Sequence, residues 1–177
     1  MTSTKPTIIC IVGESGTGKS YIADMLDSYY DIPMIESRTT RPRRKPDEGG
    51  HLYVTDEEYN TYNPEEMIAY TTFGTERYCC LIQDIKPGMN TYVIDEDGLT
   101  YLRYHFSDRF NIFAVRVITP MHIREQKVDK ERLARDEGRF LMGPEEFDYH
   151  ICNSHDKSTS HKVTKLYLRI ESKFNSN

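Results

Sequence analysis

The chain has 177 residues, a 37% hydrophobic share, 29% charged residues and a formal net charge of −5. That balance suits one domain, 1–177, large enough to bury its own core, and it argues against general nucleic-acid binding. The longest apolar runs are short and strand-like, so the pattern offers no membrane span, and the opening Met1-Thr2-Ser3-Thr4-Lys5-Pro6 lacks the apolar core of a signal peptide.

In chain order, strands are predicted at 7–12, 34–37, 91–95, 111–118 and 149–153. Helices are predicted at 19–29, 98–105, 121–141 with a break, and 159–174. Alternating strand and helix patterns imply a parallel sheet covered on both faces, a three-layer α/β fold. In the last helix Val163, Leu166, Ile170 and Phe174 share one face, and Ser158 or Ser160 is placed to cap it. Cys10, Cys79, Cys80 and Cys152 show no C-x-x-C spacing. Cys10 and Cys152 stand in apolar strand contexts as reduced core residues, which points to a cytoplasmic protein.

The first strand, Ile8-Ile9-Cys10-Ile11-Val12, runs into Gly13-Glu14-Ser15-Gly16-Thr17-Gly18-Lys19-Ser20, and a helical pattern with Ile22, Ala23, Met25 and Leu26 on one face follows. This is G-x-x-x-x-G-K-[ST] between a strand and a helix. Its glycines let backbone N–H groups turn inward around a polyphosphate, and the helix N-terminus adds partial positive charge. Lys19 is placed to reach the outer phosphates of a nucleoside triphosphate, and the Ser20 hydroxyl to bind Mg²⁺.

The segment 38–81 opens polar and basic and then gives short alternating runs at 51–54 and 67–73. Thr55-Asp56-Glu57-Glu58 fits a capping box that starts a short helix, 56–62. The whole reads as a small β-rich insertion between the second and third core strands. In a doubly wound sheet it sits at the carboxyl ends of the strands, beside the phosphate loop. Ser37-Arg38-Thr39-Thr40-Arg41-Pro42-Arg43-Arg44 puts four arginines within seven residues. Alone, such a run reads first as a solvated basic loop, although arginine forks also bind phosphate oxygens bidentately.

A phosphate loop followed by S-x-T-T-R-x-x-R, an acidic–glycine stretch (Asp47, Glu48, Gly49, Gly50) and Tyr53 resembles the guanylate kinase family. The resemblance continues through Phe73–Tyr78, Val93-Ile94-Asp95-Glu96-Asp97-Gly98, Thr119-Pro120 with Glu131-Arg132-Leu133, and Phe147 to Asn153. It implies a core (1–37, 82–120, 142–177), a monophosphate-binding insertion (38–81) and a short helical lid (121–141). It implies that Ser37, Arg41, Arg44, Tyr53 and Tyr78 hold the phosphate of a nucleoside monophosphate, and that Asn153 ends the last core strand beside ATP. Asp95 orders Mg²⁺ waters, steers a substrate-binding arginine, or simply caps the helix ahead of Gly98. Arg132, Arg135 and Arg139 recur at helical spacing. Arg132 and Arg135 are placed to neutralise the transferring phosphoryl group, whereas Arg139 also suits an exposed helix salt-bridged to Asp136 and Glu137.

The chain departs from the family at the base site. Ala69 stands where the family reads guanine with a glutamate, Cys80 where it has serine or threonine, and Val93 where it has a second aspartate. Glu65, Glu66 and Glu76 are substitute readers if the register differs. The lid between Pro120 and Arg132 is shorter than usual, and 82–90 replaces a longer helix. The implied activity is ATP·Mg-dependent phosphorylation of GMP, dGMP or a related monophosphate by a monomer or homodimer. A different acceptor, such as a modified nucleotide or a sugar phosphate, and a binding module without turnover are the alternatives.

Overall fold

The computed structural model describes residues 5–174. A parallel five-stranded sheet, β2-β7-β1-β8-β9, forms its middle layer. These strands are β1 (Thr7–Val12), β2 (Met34–Ile35), β7 (Met89–Val93), β8 (Asn111–Ile118) and β9 (Tyr149–Cys152). Between β2 and β7 the chain leaves the sheet and builds a second one, ordered β4-β3-β6-β5, from β3 (Ser37–Thr39), β4 (His51–Tyr53), β5 (Met67–Phe73) and β6 (Glu76–Leu81). The helices are α1 (Lys19–Tyr30), α2 (Asp56–Tyr59), α3 (Glu96–Phe106), α4 (Met121–Arg124), α5 (Lys130–Asp136) and α6 (Ser158–Phe174).

The period of two along β1 divides the core. Ile8, Cys10 and Val12 pack with Leu99, Leu102 and Phe106 of α3, while Ile9 and Ile11 pack with Ile22 and Leu26 of α1 and Val163, Leu166 and Ile170 of α6. β1 is apolar on both faces because both are covered. A third cluster, Tyr59, Met67, Cys79 and Leu81, supports the insertion.

Several boundaries differ from expectation for identifiable reasons. The predicted strand 34–37 splits: Met34 and Ile35 pair with β7, whereas Ser37 has crossed into the insertion and pairs with His51. The strand expected at 91–95 lies two residues earlier, because Met89 and Asn90 pair with Thr7 and Ile8, and Asp95 caps α3 through the Gly98 N–H at 2.8 Å. Thr55 caps α2 as its sequence implies, but the helix ends at Tyr59. The cap of α6 is Asp156, which accepts from the Ser158 N–H at 2.8 Å, rather than either serine. Cys10 is a core residue, but Cys152 is exposed. No described helix is long and apolar enough to cross a membrane.

The packing of α6 gives a direct test. Leu166→Ala, which empties a fully buried site, is expected to lower unfolding free energy by ~2–5 kcal/mol in denaturant titrations. Leu168→Ala, two residues on and 59% exposed, is expected to stay within ~0.5 kcal/mol. Equal losses would contradict the assigned face.

Candidate active site

One cleft at the carboxyl ends of the core strands gathers residues from four parts of the chain. The phosphate loop contributes Gly13, Ser15 and Lys19. The insertion contributes Ser37, Arg41, Arg44, His51, Ala69, Thr71, Phe73 and Tyr78. The segment after α4 contributes Arg132, Arg135, Asp136, Arg139 and Phe140. Tyr92 and the run Val93–Asp97 form the floor.

The loop between β1 and α1 is shaped by close packing. Gly16 has φ +78°, and a Cβ there would lie 2.4 Å from Val128 of the lid; only glycine combines that conformation with that approach. Asn153, fully buried, donates to Thr17 O at 2.8 Å and accepts from the Thr159 hydroxyl and the His155 N–H. Its amide is therefore spent supporting the loop from behind. Thr17 Oγ1 donates to Glu14 O. Lys19 Nζ donates to Gly13 O at 2.6 Å and Glu14 O at 2.9 Å. Gly18 immediately precedes α1 and Ser20 is exposed in its first turn.

A charge network joins this loop to the lid. The Arg124 guanidinium, almost fully buried, pairs with Glu14 at 2.7 Å and Asp136 at 3.6 Å, and its Nε donates to Ser15 O. The Ser15 N–H donates to Asp136 Oδ2 at 2.5 Å. A loop amide thus already holds an anion, as its geometry favours. Arg124 is unmarked in the sequence because a lone arginine after a proline turn looks like any surface charge, and Asp136 reads there only as a helix partner of Arg139.

The insertion arginines are organised by Glu48. Arg41, 4% exposed, meets the Glu48 carboxylate with both terminal nitrogens, at 2.8 and 3.2 Å, and donates to Tyr53 Oη at 3.1 Å. The Arg44 N–H donates to the same carboxylate at 2.7 Å. The Arg41 hydrogen bonds, ahead of the Arg44 N–H, hold the Glu48 pKa down to about 2. Tyr78 Oη donates to Glu76 at 2.9 Å, and Ser37 Oγ donates to Tyr92 Oη.

On β5, Ala69 is buried at φ +53° in an irregular stretch between Ile68 and Thr71, and it lines the cleft with Val93. Glu65 and Glu66 lie in an exposed turn ahead of β5 and Glu76 is bound to Tyr78; none of the three lines the cleft. Cys80 corrects an expectation: it is fully buried behind the wall, 3.8 Å from Ile68 O, and does not line the cleft. Asp95 accepts from Thr71 Oγ1 at 3.3 Å and pairs with Arg139 at 3.5 Å. It therefore caps α3 and holds an arginine at once. Arg139 lies beyond α5, not on its face, and reaches the cleft by stacking on Phe73 at 3.6 Å; Arg135 is 4.6 Å from the same ring.

Five buried side-chain polar atoms among the described residues lack a hydrogen-bond partner: Arg41 Nε, His51 Nδ1, Tyr59 Oη, Arg132 Nε and Arg135 Nε. All but Tyr59 belong to residues of the cleft. Burial, then the Arg44 and Arg135 charges, presses the Arg132 pKa down. Such a cluster is stabilised by an anion.

No protein-family model matches this chain, and no curated protein matches it. Its fold is nonetheless shared with solved kinases. A guanylate kinase from Anaplasma phagocytophilum superimposes with TM-score 0.67 at 17% identity, covering 98% of this chain and 89% of that one. An APS kinase from Mycobacterium tuberculosis, determined with AMPPNP and APS, gives 0.53 at 14% identity, covering 95% and 99%. The chain therefore has the α/β fold of P-loop kinases, with a five-stranded parallel sheet.

Two outcomes follow from the loop. Burial, opposed mainly by Asp136, lowers the Lys19 pKa to about 8. Lys19 is charged below that value and loses its proton as pH rises through it. Affinity for MgATP, measured by titration calorimetry, is expected to hold below about pH 8 and fall toward tenfold per unit above it; a flat profile contradicts this. Arg124→Met leaves Glu14 and Asp136 without their buried partner and is expected to cost ~3–5 kcal/mol of unfolding free energy in denaturant titrations. A loss no larger than that of a surface substitution would contradict the network.

Proposed function

We propose that this chain is an ATP-dependent nucleoside monophosphate kinase of guanylate-kinase type. The observation that carries the reading is the convergence of the phosphate loop, the insertion arginines and the lid arginines on one cleft, with Arg41, Arg132 and Arg135 each keeping an unpartnered buried Nε.

The loop amides other than that of Ser15, which is engaged by Asp136, and the Lys19 ammonium bind the ATP phosphates, and Asn153 keeps the loop in shape. Ser37, Arg41, Arg44, Tyr53 and Tyr78 bind the acceptor phosphate, with Glu48 fixing the arginine forks. Arg132 and Arg135 spread positive charge over the phosphoryl group in flight. Such a transfer needs alignment and charge neutralisation rather than covalent help. Phe73, stacked under Arg135 and Arg139, lets the lid close on the insertion and exclude water, which suppresses hydrolysis.

No group of three or more His, Cys, Asp or Glu side chains that could hold a metal occurs among the described residues, so a metal held by protein alone does not fit. Mg²⁺ carried by the nucleotide does fit: the exposed Ser20 hydroxyl would hold it together with the phosphates. When bound it neutralises phosphate charge. Asp95 is already engaged by Gly98, Thr71 and Arg139, which favours steering Arg139 among the roles its resemblance implies.

A second reading concerns the acceptor's base. Ala69 presents no carboxylate to guanine N–H groups, and unpaired buried donors cost ~1–3 kcal/mol each. That favours relaxed base choice or another acceptor, including a modified nucleotide or a sugar phosphate. Retention of Lys19 and Ser20 favours turnover over a pure binding module.

The test is ADP formation from ATP with GMP, dGMP, AMP, CMP, UMP and TMP. At least one is expected to be phosphorylated, and Lys19→Ala is expected to abolish transfer without lowering the melting temperature of the free protein. Arg41→Ala is expected to weaken acceptor binding by ~2–5 kcal/mol while sparing ATP. Lys19→Ala activity within tenfold of wild type would overturn the assignment. A wild-type preference for GMP above ~10⁴ would overturn relaxed base choice.

A further inference from the structure

His51 has no role in the account so far. The alternation of β4 turns it and Tyr53 to one side and exposes Leu52. Its ring lies edgewise between Tyr53, at 5.9 Å, and Tyr78, at 6.0 Å, and it lines the cleft with Arg41 and Arg44. Ser37 is its register partner across β3 and β4. Nδ1 is buried and without a partner. It is thus a polar atom left unengaged in the wall of a cleft that also carries Arg41 and Arg44.

We propose that His51 is a further acceptor-binding residue, and that Nδ1 takes up a proton and donates it in a hydrogen bond to the acceptor's phosphate. The proposal rests on the acceptor-site reading above. The charges around the ring make the coupling specific. From the loop after β3 come Arg41 and Arg44, with Glu48 between them; from β6 comes Tyr78, bound to Glu76; from the lid, Arg132 lies beyond Arg44; Ser37 and Thr39 of β3 are uncharged. Burial first, then Arg41, holds the imidazole pKa below its usual value, with Arg44 adding to the effect and Glu48 opposing it. A phosphate dianion offsets the two arginines and so favours the imidazolium. Acceptor binding therefore takes up a proton at Nδ1, and affinity rises as pH falls toward the histidine range.

Titration calorimetry with GMP and with TMP, as purine and pyrimidine probes, in two buffers of different ionisation enthalpy reads both affinity and proton uptake. The phosphate's own titration is common to every variant, so differences report His51. His51→Gln keeps a polar group near Nε2 and removes Nδ1. It is expected to bind about tenfold more weakly than wild type near pH 6, to differ by less than about threefold near pH 8, and to take up less proton. His51→Asn, which restores an N–H donor near Nδ1, is expected to recover affinity without the pH dependence. Equal affinity and proton uptake in His51→Gln and wild type would overturn the proposal. Arg41→Lys separates the two readings: loss of binding there but not in His51→Gln removes His51 alone, whereas unchanged binding in Arg41→Lys, or no binding of either probe by wild type, removes the acceptor site and this proposal with it.

Discussion

A single buried guanidinium ties the phosphate loop to the lid. Arg124 bridges Glu14, Ser15 O and Asp136, and Asp136 in turn accepts from the Ser15 N–H. Burying such charges is tolerable only when each is paired and hydrogen-bonded. The geometry of the loop, the distance of the lid from it and the placement of Arg135 beside Ser15, at 3.4 Å, are thus one constraint. The short lid needs this anchor, because α4 and α5 are too brief to be stable by themselves.

The rest of the cleft repeats the same physics. Arg132 aside, these arginines come with a carboxylate that orients them: Glu48 for Arg41 and Arg44, Asp136 for Arg124 and Arg135, Asp95 for Arg139. None of these pairings uses the buried Nε of Arg41, Arg132 or Arg135. Glu96 extends the scheme to the backbone: its carboxylate accepts from the Leu141 and Met142 N–H groups and pairs with Arg116, which fixes where the chain returns from the lid to the core. Preorganised donors of this kind act on charge as it develops, without reorganising at the moment of reaction.

Much of this was legible in the sequence. β1 and β8 read correctly because short β-branched apolar runs, broken in β8 only by Arg116, fit strands in a chain that alternates with amphipathic helices. The glycine-rich loop was placed correctly between β1 and α1 because its spacing needs a strand before it and a helix after it. β6 did not, since Glu76-Arg77-Tyr78 offers no apolar alternation, and its place comes from pairing with β3 and β5. The break at Ser37 was hidden because a strand that changes sheets keeps its extended pattern. The roles of Arg124 and Asp136 come only through tertiary contact: Arg124 meets a carbonyl 109 residues away, and Asp136 an amide 121 residues away. No local pattern gives those partners.

The account turns on donor and acceptor phosphates meeting in one cleft between the loop and the insertion. A molecule that carries both ends tests this most directly: adenosine and guanosine joined by a pentaphosphate, with the corresponding adenosine–thymidine compound beside it. The account predicts that at least one binds far more tightly than ATP or the free monophosphate, through effective concentration alone, and that Lys19→Ala and Arg41→Ala each abolish the gain. Binding no tighter than ATP for both compounds, or a gain that survives Arg41→Ala, would contradict it.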